Sequence, residues 1–227
     1  RVALLLRFEE AHASAANALL KTLEEPAPKV LMLLTAESVE SLLPTIVSRC
    51  EVLRLRPLPV EQISQALITR WGLLPERANL LAHLSDGRPG VAVQYHLQPD
   101  LLEQRQAWLE ELALLLPASR VERFAWAEKW AKDFEKKSRT KEELRNQLLT
   151  WLSLWRDVFL ISSQASVSIT NLDWQPQVSA IANILSLDQA HRVVSCIEQT
   201  LEVLSKNINT RLALEVLMLD IPHLRVP

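Results

Sequence analysis

The sequence predicts a mainly α protein with a small α/β portion at its start. Three observations carry this expectation. Strand-like apolar segments are confined to the first 57 residues, glycine occurs only at positions 72, 87 and 90 in a chain rich in leucine and alanine, and aromatics make up 5% of residues. Such a composition favours helices over a β sandwich. From about residue 101 onward, apolar residues recur at spacings of three and four, the period of a helix face.

Taken in order, Val2-Ala3-Leu4-Leu5-Leu6 reads as a strand. Ala15 to Glu25 reads as an alanine- and leucine-rich helix ended by Pro26, because proline disfavours helical geometry in the residue before it. Val30 to Leu34 reads as a second strand and Val52 to Leu55 as a third, with Arg49 just ahead of it on a rigid sheet edge. A rigidly held arginine suits phosphate. Pro57 and Pro59 punctuate this region, and helices are expected over about 60 to 71 and 76 to 84, parted by Gly72 and Pro75, with a short third helix from near Pro89 toward Tyr95.

Two long apolar stripes follow. One joins Leu144, Leu148, Trp151, Leu152, Trp155, Val158 and Phe159, and the other joins Ala190, Val193, Val194, Ile197, Leu201 and Leu204. Leu212, Val216 and Leu219 form a closing set, and Ile169 to Pro176 reads as a long connection carrying Trp174. These features predict a bundle of about five helices. The expected modules are therefore 1–57, 58–100 and 101–227.

A formal net charge of -2 and a pI of about 6.3 exclude the bulk basicity that drives autonomous nucleic-acid binding. Cys50 and Cys196 lie far apart without close thiol or histidine neighbours, and His12, His83, His96, His191 and His223 show no ligand spacing, so no metal site is expected. No apolar run approaches the ~20 residues that span a bilayer, and no signal peptide is visible, which points to a cytoplasmic protein without a membrane partner. The chain starts at Arg1 directly on a strand, without an initiator methionine, and reads as a fragment of a longer protein.

Ala15-Ala16-Asn17-Ala18-Leu19-Leu20-Lys21-Thr22-Leu23-Glu24-Glu25-Pro26, followed at this separation by Leu42-Leu43-Pro44-Thr45-Ile46-Val47-Ser48-Arg49-Cys50, resembles the clamp-loader branch of the AAA+ ATPases. Residues 9 to 57 carry most of the resemblance. Ser85-Asp86-Gly87-Arg88-Pro89-Gly90-Val91-Ala92 adds to it, and Asn207 to Glu215 resembles the last helix of clamp-loader collars. Between about 100 and 206 only helical character supports it. The resemblance implies a partial AAA+ α/β remnant over 1–57, a small helical lid over 58–100 and an all-helical collar for oligomerisation over 101–227.

The resemblance also assigns roles. Arg49 of the Ser48-Arg49-Cys50 triplet corresponds to an arginine finger that reaches the γ-phosphate of ATP held by a neighbouring subunit and stabilises charge in phosphoryl transfer. Read from the residues alone, Arg49 can instead cap a helix end or pair with Glu51. Ser48 and Cys50 read as positioning and packing residues. Lys21 lies on a helix resembling the DNA-tracking helix of the family and can donate to backbone phosphate, or be simply solvated. Thr35 stands either where the family places a nucleotide sensor or as a strand-end cap. The charged run from Lys129 to Arg145 has mixed signs and reads as an exposed helix end and loop, and the tryptophans read as core.

No Gly-Lys pair occurs in this chain, so it offers no phosphate-binding loop, and no bound cofactor of its own is expected. Glu9 replaces the metal-holding aspartate of the family's Asp-Glu-Ala-His motif, and Gly90 falls where motor subunits carry a second arginine. The resemblance therefore implies a subunit without ATPase activity of its own. Its implied partners are the other clamp-loader subunits in a hetero-oligomeric ring, the ATP of a neighbour and, through the complex, the sliding clamp and primer-template DNA. The alternatives are an active clamp-loader ATPase subunit and a helical DNA-binding module.

Overall fold

The computed structural model describes residues 1–165, 167–206 and 209–224. The chain divides into two compact units, residues 1–56 and 57–227.

In the first unit, β1 (Val2–Leu5) and β2 (Leu31–Leu34) pair in parallel, with Val2 opposite Leu31 and Leu4 opposite Leu33. A parallel pair needs a crossover, and α1 (Ala13–Glu24) supplies it. His12 caps that helix, its Nδ1 accepting from the Ser14 amide at 3.3 Å. The short α2 (Pro44–Val47) begins on a proline, which fits a first helical turn. Val2, Leu4, Leu31 and Leu33 are all exposed on one face of the ribbon.

The expected third strand over Val52 to Leu55 does not form: residues 51–59 carry no regular structure, and Leu53 and Leu55 are exposed. A strand is stable only beside a hydrogen-bonding neighbour, and β2 pairs only with β1 among the described residues. Arg49 accordingly follows α2 and does not lie on a sheet edge.

The second unit is helical. α3 (Val60–Trp71), α4 (Pro75–Leu84) and α5 (Pro89–Leu97) enclose a small core of Ile63, Leu67, Leu81, Ala82 and Ala92. Gly72 ends α3 at φ +68°, a left-handed cap that suits glycine. Gly87 is required more strictly. At φ +75° it brings its backbone so near Pro57 that a Cβ would lie 2.4 Å from the proline Cβ, and its carbonyl accepts from the Leu58 amide at 2.8 Å.

A larger core lies among α6 (Asp100–Leu115), α7 (Arg120–Glu135), α8 (Lys141–Ser162), α9 (Gln175–Ile184), α10 (Leu187–Ser205) and α11 (Thr210–Asp220). That is six helices among the described residues, against about five expected, and the expected connection Ile169 to Pro176 holds a 3-10 turn over Leu172–Trp174 and the first two residues of α9. Capping boxes at Ser119/Glu122 and Ser186/Gln189 start α7 and α10. Both long stripes face inward, with Leu148, Trp151, Trp155 and Val158 of α8 packed against Val193 and Ile197 of α10.

The closing set is reversed. Leu212, Val216 and Leu219 are about half exposed, while Ala213, Leu214, Leu217 and Met218 are buried. α11 is apolar on both sides, so its period alone permits either face inward. Packing against α7 and α10 selects the second. Of the segment from Asn207 to Glu215, Asn207 and Ile208 lie outside the described residues.

Two buried polar networks fasten this unit. Arg123, 4% exposed, donates to the Leu115, Leu116, Met218, Ile221 and Pro222 carbonyls, joining the C-terminal ends of α6 and α11. The last carbonyls of a helix lack partners within it, and a cation suits the negative helix end. Burial lowers the arginine's pKa. In the second network, Arg105 donates to Asp173 at 2.6 Å and to Asn171 Oδ1 at 2.5 Å. Asn171 in turn donates to Asp157, which also accepts from the Thr170 amide. His83 of α4 lies with Nδ1 2.7 Å from the Ile169 carbonyl, so the same connection also touches the smaller core.

Candidate functional site

The candidate site lies in the first unit, where α1 ends and α2 turns into Ser48-Arg49-Cys50. Pro44 starts a helix of one turn, and Ser48 ends it with an αR backbone, its hydroxyl donating to the Thr45 carbonyl at 3.2 Å. Arg49 leaves this turn with its side chain about one-third exposed.

Its guanidinium makes local bonds on both sides. Nη1 donates to the Thr45 carbonyl at 2.9 Å and to Ser48 Oγ at 3.2 Å, while Nε donates to Glu24 Oε1 at 2.7 Å and Nη2 meets the same oxygen. The acidic partner is thus Glu24, at the last residue of α1, and not Glu51. Of the two local roles open in the sequence, the capping of a helix carbonyl is present and the Glu51 pair is not.

Ser48 Oγ thus lies in hydrogen-bond contact with the Arg49 guanidinium. Cys50 is half-buried and lines a cleft of about 590 Å³ with Leu34, Ile46, Val47 and Leu53. Glu37, Glu40, Glu51 and Arg54 line the same cleft, so its wall is mixed in character. Lys21 is exposed on α1, one turn before Glu24. Thr35 caps the strand pair: its Oγ1 accepts from the Arg7 amide at 3.0 Å and its carbonyl from the Phe8 amide at 2.8 Å. Arg88 turns back to donate to the Ser85 carbonyl at 3.1 Å.

Sequence reasoning missed Glu24 as a partner of Arg49, as it missed Arg105, Arg123 and Asp157. The only signal for Asp157 is a charge set inside the apolar stripe between Trp155 and Val158. The charged run at 129–145 behaves as expected, with Arg139 near Asp133 and Glu143 and its guanidinium 4.2 Å from the Trp130 ring centre. Cys196 donates to Asp220 Oδ2 at 3.2 Å, and burial together with that carboxylate pushes its thiol up to about 12, an unreactive state. Among the described residues no cluster of metal-ligating side chains occurs, and no helix is long and apolar enough to cross a membrane.

The fold comprises a small α/β unit and a larger helical unit. Residues 1–59 match the family of the DNA polymerase III delta subunit. The delta' subunit of DNA polymerase III from Escherichia coli K12 is 30% identical over 219 residues, which cover 94% of this chain and 61% of that protein. The delta' subunit from Haemophilus influenzae is 42% identical over 99 residues, 43% of this chain and 30% of that protein. The one from Bacillus subtilis is 32% identical over 149 residues, 66% and 44%. The chain is similar to the Escherichia coli delta' subunit over nearly its whole length and to the other two over part of it, and it spans less than two thirds of the length of each of these relatives.

Proposed function

We propose that this chain serves in a non-catalytic clamp-loader subunit of the delta' type, which helps to assemble the loader ring and presents Arg49 to the ATP of a neighbouring subunit. In this reading residues 1–57 present the finger, 58–100 form the lid and 101–227 form the collar. The outward row of Leu212, Val216 and Leu219 gives the collar an apolar surface for assembly. The sliding clamp and primer-template DNA are then met through the complex, in the cytoplasm, with Lys21 as a candidate phosphate contact.

The observation that carries this reading is the placement of Arg49. It sits on a hydrogen-bonded turn within the 59 residues that match the delta subunit family, with its side chain about one-third exposed. A charge meant for a partner must be held in place and reachable from outside. Glu9 in place of the family's aspartate and Gly90 in place of its second arginine argue against an active ATPase subunit.

The test is Arg49→Ala in the full-length subunit, reconstituted with its partners. Removing a finger should cut ATP turnover at the adjacent site by about 10³-fold while leaving assembly on gel filtration unchanged. Arg49→Lys should rescue poorly, because an ammonium lacks the planar fork that engages two phosphate oxygens. Normal turnover with the alanine variant, or a complex that fails to assemble, would assign Arg49 to a structural role.

A further inference from the structure

The two sides of the Arg49 guanidinium are held by different kinds of partner. On one side Nη1 is fixed by the Thr45 carbonyl and Ser48 Oγ, both neutral and both part of the turn that carries Arg49. On the other, the Nε–Nη2 edge lies against the Glu24 carboxylate, which comes from a different helix. That edge carries two parallel N–H groups, the fork with which arginine takes carboxylate or phosphate oxygens. Glu24 therefore occupies the face of Arg49 best suited to a phosphate.

We propose that Glu24 is a positioning residue that parks Arg49: an internal anion that keeps the fork oriented and occupied until the charge developing on a neighbour's phosphate in the transition state displaces it. The proposal rests on the finger reading above. The neutral contacts to Thr45 and Ser48 stay in place during the exchange, so the guanidinium need not search for its orientation. Only the Glu24 bonds must break. Side chains 32% and 48% exposed make this a weak pair, so water can reach it and a more highly charged anion can replace it.

Parking has a measurable consequence. While Glu24 holds the fork, only a fraction of the fingers is free, and the finger's apparent effectiveness falls by that fraction. Because the finger acts on charge that develops in the transition state, weakening the park should appear in kcat and not in KM.

The experiment uses the full-length subunit reconstituted with its partners and measures steady-state ATP turnover for Glu24→Gln, Arg49→Ala and the double variant. Glutamine keeps the size of the side chain and an acceptor oxygen but removes the charge. Glu24→Gln should raise kcat by about two- to fivefold, the range of an exposed ion pair, with KM nearly unchanged. The gain should vanish in the Arg49→Ala background. If Arg49→Ala collapses turnover while Glu24→Gln leaves kcat unchanged or lowers it, the parking role is overturned and the finger stands. A gain that persists without Arg49 overturns it too, since Glu24 would then act by another route. If Arg49→Ala leaves turnover intact, both readings fall together.

Discussion

Arg105 of α6 and Asp173, in the connection before α9, face each other as a forked pair, with the two guanidinium nitrogens 2.6 and 3.1 Å from the two carboxylate oxygens. The arginine is almost wholly buried and also holds Asn171 Oδ1. A charge in such a place is tolerated only while its hydrogen bonds are satisfied. Arg105→Ala should therefore cost about 3 kcal/mol of unfolding free energy, measured by urea denaturation, because it leaves the buried Asn171 oxygen and the Asp173 carboxylate without their donor. A loss under about 1 kcal/mol would show that water replaces the guanidinium easily.

Arg123 offers a sharper case, since its five acceptors are all backbone carbonyls. Arg123→Ala should destabilise the helical unit by about 3 kcal/mol or more, and Arg123→Lys should recover little, because one ammonium cannot reach carbonyls spread over both helix ends. Thermal melts followed by circular dichroism would measure both. A lysine variant as stable as the parent would mean that charge alone, and not the planar fork, joins α6 to α11.

Asp157 gives stability a pH dependence of defined sign. Its pKa is raised, chiefly by burial, with the Thr170 and Asn171 donors opposing and Asp86 adding a smaller upward push. The folded state then binds the proton more tightly than the unfolded state. The Asp157 contribution is thus most favourable at low pH and declines as pH rises from the ordinary aspartate range through the raised value, becoming constant above it. The stability difference between the parent and Asp157→Asn should shrink over that interval. Denaturation midpoints between about pH 4 and 7 would test this, and a difference that grows with pH would mean that the three N–H donors outweigh desolvation.

The orientation of α11 makes opposite predictions for neighbouring leucines. Leu214→Ala, at a fully buried position, should cost about 2 to 5 kcal/mol through lost burial and a cavity, whereas Leu212→Ala should stay within about 0.5 kcal/mol. Equal losses at both positions would mean that α11 is rotated from the face described.

Much of this architecture is legible in the sequence because it depends on local chemistry. Pro26, Gly72 and Pro89 mark helix ends through their own backbone limits, and the α8 and α10 stripes follow from spacing alone. Arg49 was legible as a residue to explain, through the triplet around it. Its partner was not. Glu24 lies 25 positions earlier, and nothing in a charge at a helix end says which distant cation will reach it. The same holds for Asp157, Asn171 and Arg105, which come together only once α6, α8 and their connection pack.

The sequence by itself determined the helix limits marked by Pro26, Gly72 and Pro89 and which long faces are apolar. Those properties are set within a few residues, by dihedral preference, side-chain period and residue type. Only the tertiary structure decided that Val52 to Leu55 stays irregular, that α11 turns Leu214 inward and Leu212 outward, and that Glu24 sits on the fork of Arg49. A strand needs a neighbour to bond, a helix apolar on both sides needs a packing partner to choose between them, and an ion pair needs two elements brought within reach.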